Sequence, residues 1–201
     1  MKSVYLRTGL ALLCAVILSA CGGGSSGDLP LQVTIQGLNK TGLVLINKPT
    51  GEKLPISGSA TFQFTKLVSN DEQFDIQIDS PATGAKCTLF ENTGKANVYT
   101  YSRAYAICAS NPWLLGGTVL GLKGNGLVLA NGSDTVTVPA PAVAGADVLF
   151  TFPSKVADGS AYGATVLLQP EGQSCAVDPS NNPGIMPGFD GLGLIVRCVN
   201  K

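Results

Sequence analysis

The chain contains no histidine in 201 residues. That removes every arrangement in which imidazole activates a serine or cysteine, and with it the commonest metal ligand. Charge is sparse: 13% of residues are charged, thirteen basic and thirteen acidic, with no run of either sign. The basic patch that nucleic-acid binding needs is therefore missing, and no nucleic-acid partner is expected. Past the first twenty residues no apolar stretch is long enough to cross a bilayer as a helix. No two cysteines have C-x-x-C spacing and no Ser-x-x-Lys occurs, so neither a thiolate zinc site nor that serine chemistry is expected. A G-x-S-x-G match, Gly23 to Gly27, lies in a Gly/Ser run, not at a strand-to-helix turn, and its elbow reading fails. No catalytic residue, metal or cofactor is assigned.

What the sequence does have begins at its N-terminus. Lys2 and Arg7 precede a segment, Leu10 to Ala20, that is apolar apart from Ser19. It is too short for a comfortable permanent span and has the charged start and apolar centre of an export signal. The small residues Ser19 and Ala20 lead directly to Cys21, and Gly22 to Gly27 are all Gly or Ser. Leu18-Ser19-Ala20-Cys21 resembles the lipobox of bacterial lipoprotein precursors. The resemblance implies removal of a signal peptide, residues 1–20, and acylation of Cys21, which then anchors the chain in a membrane. Each buried CH2 of an acyl chain contributes ~0.8 kcal/mol, and stable anchoring takes more than one chain. Residues 21–29 then form a flexible tether. Gly22 and Gly23 resemble the pattern of outer-membrane sorting, so the expected location is the bacterial outer membrane, on either face. Without Lys2 and Arg7, eleven basic residues face thirteen acidic ones, a balance of about −2.

Cys14 leaves with the signal and Cys21 carries lipid, so four cysteines remain: Cys87, Cys108, Cys175 and Cys198. An even number in an exported chain reads as disulfides, with three possible pairings. An internal repeat selects one. Gly37, Gly42, Leu43, Val44 and Leu45 recur as Gly121, Gly126, Leu127, Val128 and Leu129, a shift of 84. Phe62 to Phe64 (FQF) match Phe150 to Phe152 (FTF), and Gly84 and Cys87 match Gly172 and Cys175, at a shift of 88; Cys108 matches Cys198 at 90. Order is kept while the shift drifts, as insertions in loops would cause, so the chain is read as a tandem duplication. Each unit then owns one pair, Cys87–Cys108 and Cys175–Cys198, and each pair closes a loop worth ~3 kcal/mol in the chain-entropy model.

Short alternating segments separated by turn residues read as strands. In the first unit they are Leu31–Gly37, Gly42–Asn47, Ser59–Thr65, Gln73–Asp79, Lys86–Glu91 and Val98–Cys108, with turns at Asn39–Gly42, Lys48–Glu52 and Asn92–Lys95. In the second they are Gly117–Gly121, Gly126–Ala130, Asp134–Val138, Val148–Pro153, Ala164–Gln169 and Leu192–Val199. Gly121, Gly124 and Gly126 read as turn glycines. The expected fold is all-β: two tandem immunoglobulin-like β-sandwich domains, residues 30–111 and 112–201, the likeness being one of architecture. Through GLVL, the F-x-F strand and the G-x-x-C segment, the units also resemble Gly-rich tandem repeats of proteobacterial surface lipoproteins and large exported proteins. That resemblance implies no defined activity.

Three features are candidates for function. Asp71, Glu72, Asp75 and Asp79 cluster on one segment, and alternation puts Asp75 and Asp79 on the solvent face opposite Phe74, Ile76 and Ile78. The loop Asp178 to Asp190 carries three prolines, and its apolar Ile185 and Met186 are expected at the surface, where recognition often sits on loops. In YTYSRAYAIC, Tyr99, Tyr101, Arg103 and Tyr105 share one parity while Ala104, Ala106 and Cys108 share the other. With the cysteine inward, the three tyrosines and Arg103 form an outward stripe of residue types enriched at binding sites, the candidate surface for an envelope protein or glycan partner. The expected function is a membrane-anchored envelope lipoprotein, non-catalytic, acting as a binding or structural module. The alternatives are an accessory factor in envelope assembly or secretion and, less favoured, a carboxylate-based hydrolase.

Overall fold

A computed structural model describes residues 29–143 and 145–201. The lipobox, Cys21 and the tether glycines lie outside the described residues. The described residues are almost entirely strands and turns, with one 3-10 turn among them at Pro179–Asn181. In the first half the strands are β1 (Gln32–Gln36), β2 (Val44–Asn47), β3 (Glu52–Pro55), β4 (Thr61–Gln63), β5 (Gln73–Ser80), β6 (Ala85–Phe90), β7 (Thr93–Lys95) and β8 (Ala104–Ser110). They form two four-stranded sheets, of order β4-β1-β8-β6 and β3-β2-β5-β7. Between the sheets lies a core that takes Val33 and Ile35 from β1, Leu45 from β2, Phe74 and Ile76 from β5, and Ala104 and Ala106 from β8. These are the inward members of strands whose side chains alternate between the two faces.

In the second half β9 (Pro112–Trp113), β10 (Leu115–Leu120), β11 (Leu127–Asn131), β12 (Asp134–Val138), β13 (Val148–Thr151), β14 (Val156–Ala157), β15 (Ala161–Tyr162), β16 (Ala164–Leu168), β17 (Gln173–Val177), β18 (Gly184–Ile185) and β19 (Gly191–Asn200) follow. The main sheets are β13-β10-β19-β17 and β12-β11-β16, with β9–β14 and β15–β18 as two-stranded additions. The second core runs from Leu115 to Cys198 and includes Phe150, Phe152 and Met186. Strand for strand, β4-β1-β8-β6 repeats as β13-β10-β19-β17. In both, the first strand lies parallel to the last, β1 with β8 and β10 with β19, while the other pairings are antiparallel. Even an irregularity recurs: the β2–β5 ladder slips between Val44 and Leu45, and β11–β16 between Val128 and Leu129. The likeness to immunoglobulin domains is one of layered architecture. There the first two strands share a sheet; here β1 and β2 are in opposite sheets.

Disulfides join Cys87 to Cys108 and Cys175 to Cys198, each between directly opposed residues of neighbouring antiparallel strands, Cα–Cα 4.0 Å. Each bond therefore staples strands within one sheet and does not tie the two sheets together. The halves meet across a short junction. Lys40 Nζ donates to Asp158 Oδ1 at 2.6 Å and Asp158 N–H donates to the Asn111 carbonyl at 2.8 Å; within the second half Trp113 Nε1 donates to Asp158 Oδ2 at 3.4 Å, and within the first Asn111 N–H donates to the Gly84 carbonyl at 2.9 Å.

Some strands differ from the expected ones. The last strand of the first half starts at Ala104, not Val98, and residues 97–102 are a turn. Val98 to Tyr101 favour strand, but the Asn97 side chain accepts from the Tyr99 N–H and the Thr100 hydroxyl accepts from the Asn97 N–H. Those local bonds offer the backbone an alternative to the ladder. Asn92–Lys95, expected as a turn, contributes the short β7, and the expected turn Lys48–Glu52 ends by entering β3.

Candidate functional site

On β6 the side chains of Lys86, Thr88 and Phe90 point outward, and on β8 those of Tyr105, Ile107 and Ala109 do, while Ala104, Ala106 and Cys108 are buried. Register aligns one outward row straight across the four strands: Thr61, Thr34, Tyr105, Phe90. The two threonine hydroxyls are hydrogen-bonded at 3.0 Å. Tyr105 and Phe90 stack with ring centroids 4.9 Å apart and planes 14° from parallel, the offset geometry aromatic pairs prefer. Phe90 remains 38% exposed, and Ile107, in the adjacent row, 48%. Beyond Phe90 the chain turns at Glu91, whose φ is +47°, and Glu91 Oε2 pairs with Arg103 Nε at 2.7 Å. A cavity of about 170 Å3 opens beside this pair, lined also by Phe74, Lys95 and Thr100.

Of the expected stripe, Arg103 and Tyr105 stand together on this face. Tyr99 and Tyr101 do not continue it, because they lie in the 97–102 turn. Tyr99 is 81% exposed at the turn's tip, and Tyr101 is half-buried, its carbonyl accepting from Gln32 N–H at 2.8 Å. The stripe is thereby corrected to a patch of Tyr105, Arg103 and two residues the sequence reading left out, Phe90 and Glu91. Phe90 was findable, since it shares parity with the polar Lys86 and Thr88.

The acidic cluster disperses. Asp79 pairs with Lys53 at 2.9 Å, Asp75 accepts from Gln77 Nε2, Glu72 accepts from Ser69 N–H, and Asp71 accepts from Asn70 Nδ2. Phe74 and Ile76 face the core. Among the described residues no three acidic or thiol groups converge on a point. The loop 178–190 is strapped down: the Asn182 side chain bonds both the N–H and the carbonyl of Ala164, and Asp190 accepts from Leu114 N–H. Asp178 accepts from Ser180 N–H and Arg197 Nε, and these bonds hold its carboxyl below the usual aspartate range. Ile185 is exposed, but Met186, expected at the surface, is buried in the second core. Its N–H donates to the Ser160 carbonyl, and that bond with the β15–β18 pairing turns its side chain inward.

No family model, curated protein or solved structure matches the chain.

Proposed function

We propose that the chain is a bacterial envelope lipoprotein, held in the outer membrane through acylated Cys21, whose folded body is a non-catalytic binding module working through the Tyr105–Phe90 face. The observation that carries the binding role is the in-register row of Thr61, Thr34, Tyr105 and Phe90. The row is aromatic at one end and hydroxylic at the other, with Arg103 at its margin. Tyr and Arg are enriched at binding hot spots, and a stack already formed loses little side-chain freedom when a partner covers it. The anchor rests on Leu18-Ser19-Ala20-Cys21 and the Gly/Ser stretch after it. The two disulfides accord with an exported chain.

Two experiments test this. Cys21→Ser should release the protein from membranes or block its processing; a matured, membrane-bound Cys21→Ser form would overturn the anchor. Phe90→Ser with Tyr105→Ser should leave the melting temperature nearly unchanged and abolish photo-crosslinking of an envelope partner from a probe placed at Ile107. Undiminished crosslinking in that double variant removes the face from the mechanism.

A further inference from the structure

The duplicated sheets end differently. In each half the disulfide joins directly opposed residues 4.0 Å apart at Cα, the narrow spacing of a non-hydrogen-bonded antiparallel pair. The N–H and C=O of Cys87 on β6, and of Cys175 on β17, therefore point away from the sheet, along its free edge. In the second half that edge is covered. Gln169 Oε1 accepts from Cys175 N–H at 2.7 Å, and Gln169 Nε2 donates to the Cys175 carbonyl at 3.0 Å. The side-chain amide pairs with the strand as another strand's peptide group would.

The first half lacks this cover. Val44 opposes Ser80 as Val128 opposes Leu168, with the same slip in both ladders. The residue after Ser80 therefore corresponds to Gln169, and it is Pro81, which has no such amide. Among the described residues nothing bonds to the outward N–H and C=O groups of Cys87 and Leu89. A six-residue edge with open backbone groups is a template for another strand, and the second half shows that an amide fits it.

We propose that the β6 edge pairs with β6 of a second copy of this chain, forming a two-fold dimer with one continuous eight-stranded sheet. Antiparallel pairing of like edges is isologous and closes on itself. Only residues of odd number present their backbone groups outward, so the two-fold axis passes through a residue, not between two. Centring on Thr88 opposes Cys87 to Leu89 of the second copy, Thr88 to Thr88, and Lys86 to Phe90. No like charges meet, and each ammonium comes to the outer ring face of Phe90 in a Phe90–Tyr105 stack. Centring on Cys87 would put Phe90 of the second copy opposite Gly84, where Asp158 already stands 2.7 Å from the position of a Cβ.

The test uses the full chain in membranes. Thr88→Cys sets a thiol on the axis, facing its own copy at the spacing where Cys87 and Cys108 already join, and should give a covalent dimer on a non-reducing gel. Adding Pro81→Gln, which installs the missing amide, should cut that dimer roughly tenfold as the edge bonds are taken up within the chain. The counterpart Ala176→Cys should stay monomeric and gain dimer only with Gln169→Ala. Because a thiol beside Cys87 can exchange with it, sedimentation of the chain with its native cysteines is the second measurement: it should show dimer, and Thr88→Lys, which opposes two ammonium groups, should show monomer. A native chain that stays monomeric at every concentration reached, a covalent dimer indifferent to Pro81→Gln, or a β6 edge that takes only a different protein overturns the proposal.

Discussion

Across the outer face of the first half the row reads Thr61, Thr34, Tyr105, Phe90; across the second it reads Leu149, Thr118, Ile195. The backbones beneath are laid out alike, to the slip in one ladder. The inward residues are held by packing: Phe64 answers Phe152, and Leu45 answers Leu129, all fully buried. The outward ones have diverged, toward an aromatic stack in the first half and aliphatic side chains in the second. Packing limits what can change inside a sandwich, and solvent does not limit the outside in the same way. Inside, changes compensate across one ladder, Val33 and Ala104 giving way to Gly117 and Leu194; outside no such compensation is needed, and the difference bears on what each surface is for.

The strongest way to break this comparison is at the shared core. Phe64→Ala and Phe152→Ala should each destabilise by about 3–5 kcal/mol, read as denaturant midpoints, with hydrogen exchange showing the loss in the half that carries the change. Unequal losses would mean that one half leans on the other. Next come the staples. Removing Cys87–Cys108 or Cys175–Cys198 as Ala pairs should cost ~3 kcal/mol each, because separations of 21 and 23 residues close nearly equal loops. Amide exchange should rise more along β6 than along β17, whose edge Gln169 still holds.

A smaller effect separates two equivalent glycines. Gly37 (φ +73°) and Gly121 (φ +74°) both turn the chain against the second cysteine of their half. A Cβ on Gly37 would run into the Cys108 carbonyl oxygen, and one on Gly121 would sit less tightly, 2.8 Å from that of Cys198. Ala at either should cost about 1–3 kcal/mol, and thermal melts should place Gly37→Ala lower.

The least effect on stability, and the sharpest on shape, is expected at the junction. The Lys40 hydrogen bond, opposed by partial desolvation and helped by Trp113, lowers the Asp158 carboxyl below its ordinary range. A depressed carboxylate contributes above its unfolded value and loses that contribution as pH falls through the folded one. The junction should hold at pH 5 and loosen only in stronger acid, whereas Asp158→Asn should loosen it at all pH values. Fluorescence transfer between dyes on the two halves measures this; identical transfer in Asp158→Asn and native protein at pH 7 would show that the ion pair does not set the angle.

Much of this was legible in the sequence, for a physical reason. A strand buried on one face writes a period of two, so Gln32–Gln36, Val44–Asn47 and Gln73–Ser80 declared themselves, and the drifting shift tied each cysteine to its partner. Elements whose residues answer to distant atoms stayed hidden. β17, QSCAV, lacks an apolar alternation; its inward Gln173 is buried because its side chain accepts from Lys123 and Gly124 N–H and donates to the Gly121 carbonyl. The Phe90–Tyr105 stack joins residues fifteen positions apart, and only the β6–β8 register brings them together. Gln169 over Cys175 is the same kind of fact: a polar residue whose role exists only once the edge beside it does.

The parallel ladders also decide how the molecule carries a load. In each disulfide-bearing sheet the earliest and latest strands run side by side in the same direction, β1 beside β8 and β10 beside β19. The chain enters at the start of one and leaves at the end of the other. Tension applied between the two ends of the chain drags these neighbours past each other along their length. Every bond of the ladder is then strained at once, where an unzipping geometry would break them singly. Under such a pull each half is loaded in shear and is not peeled open strand by strand.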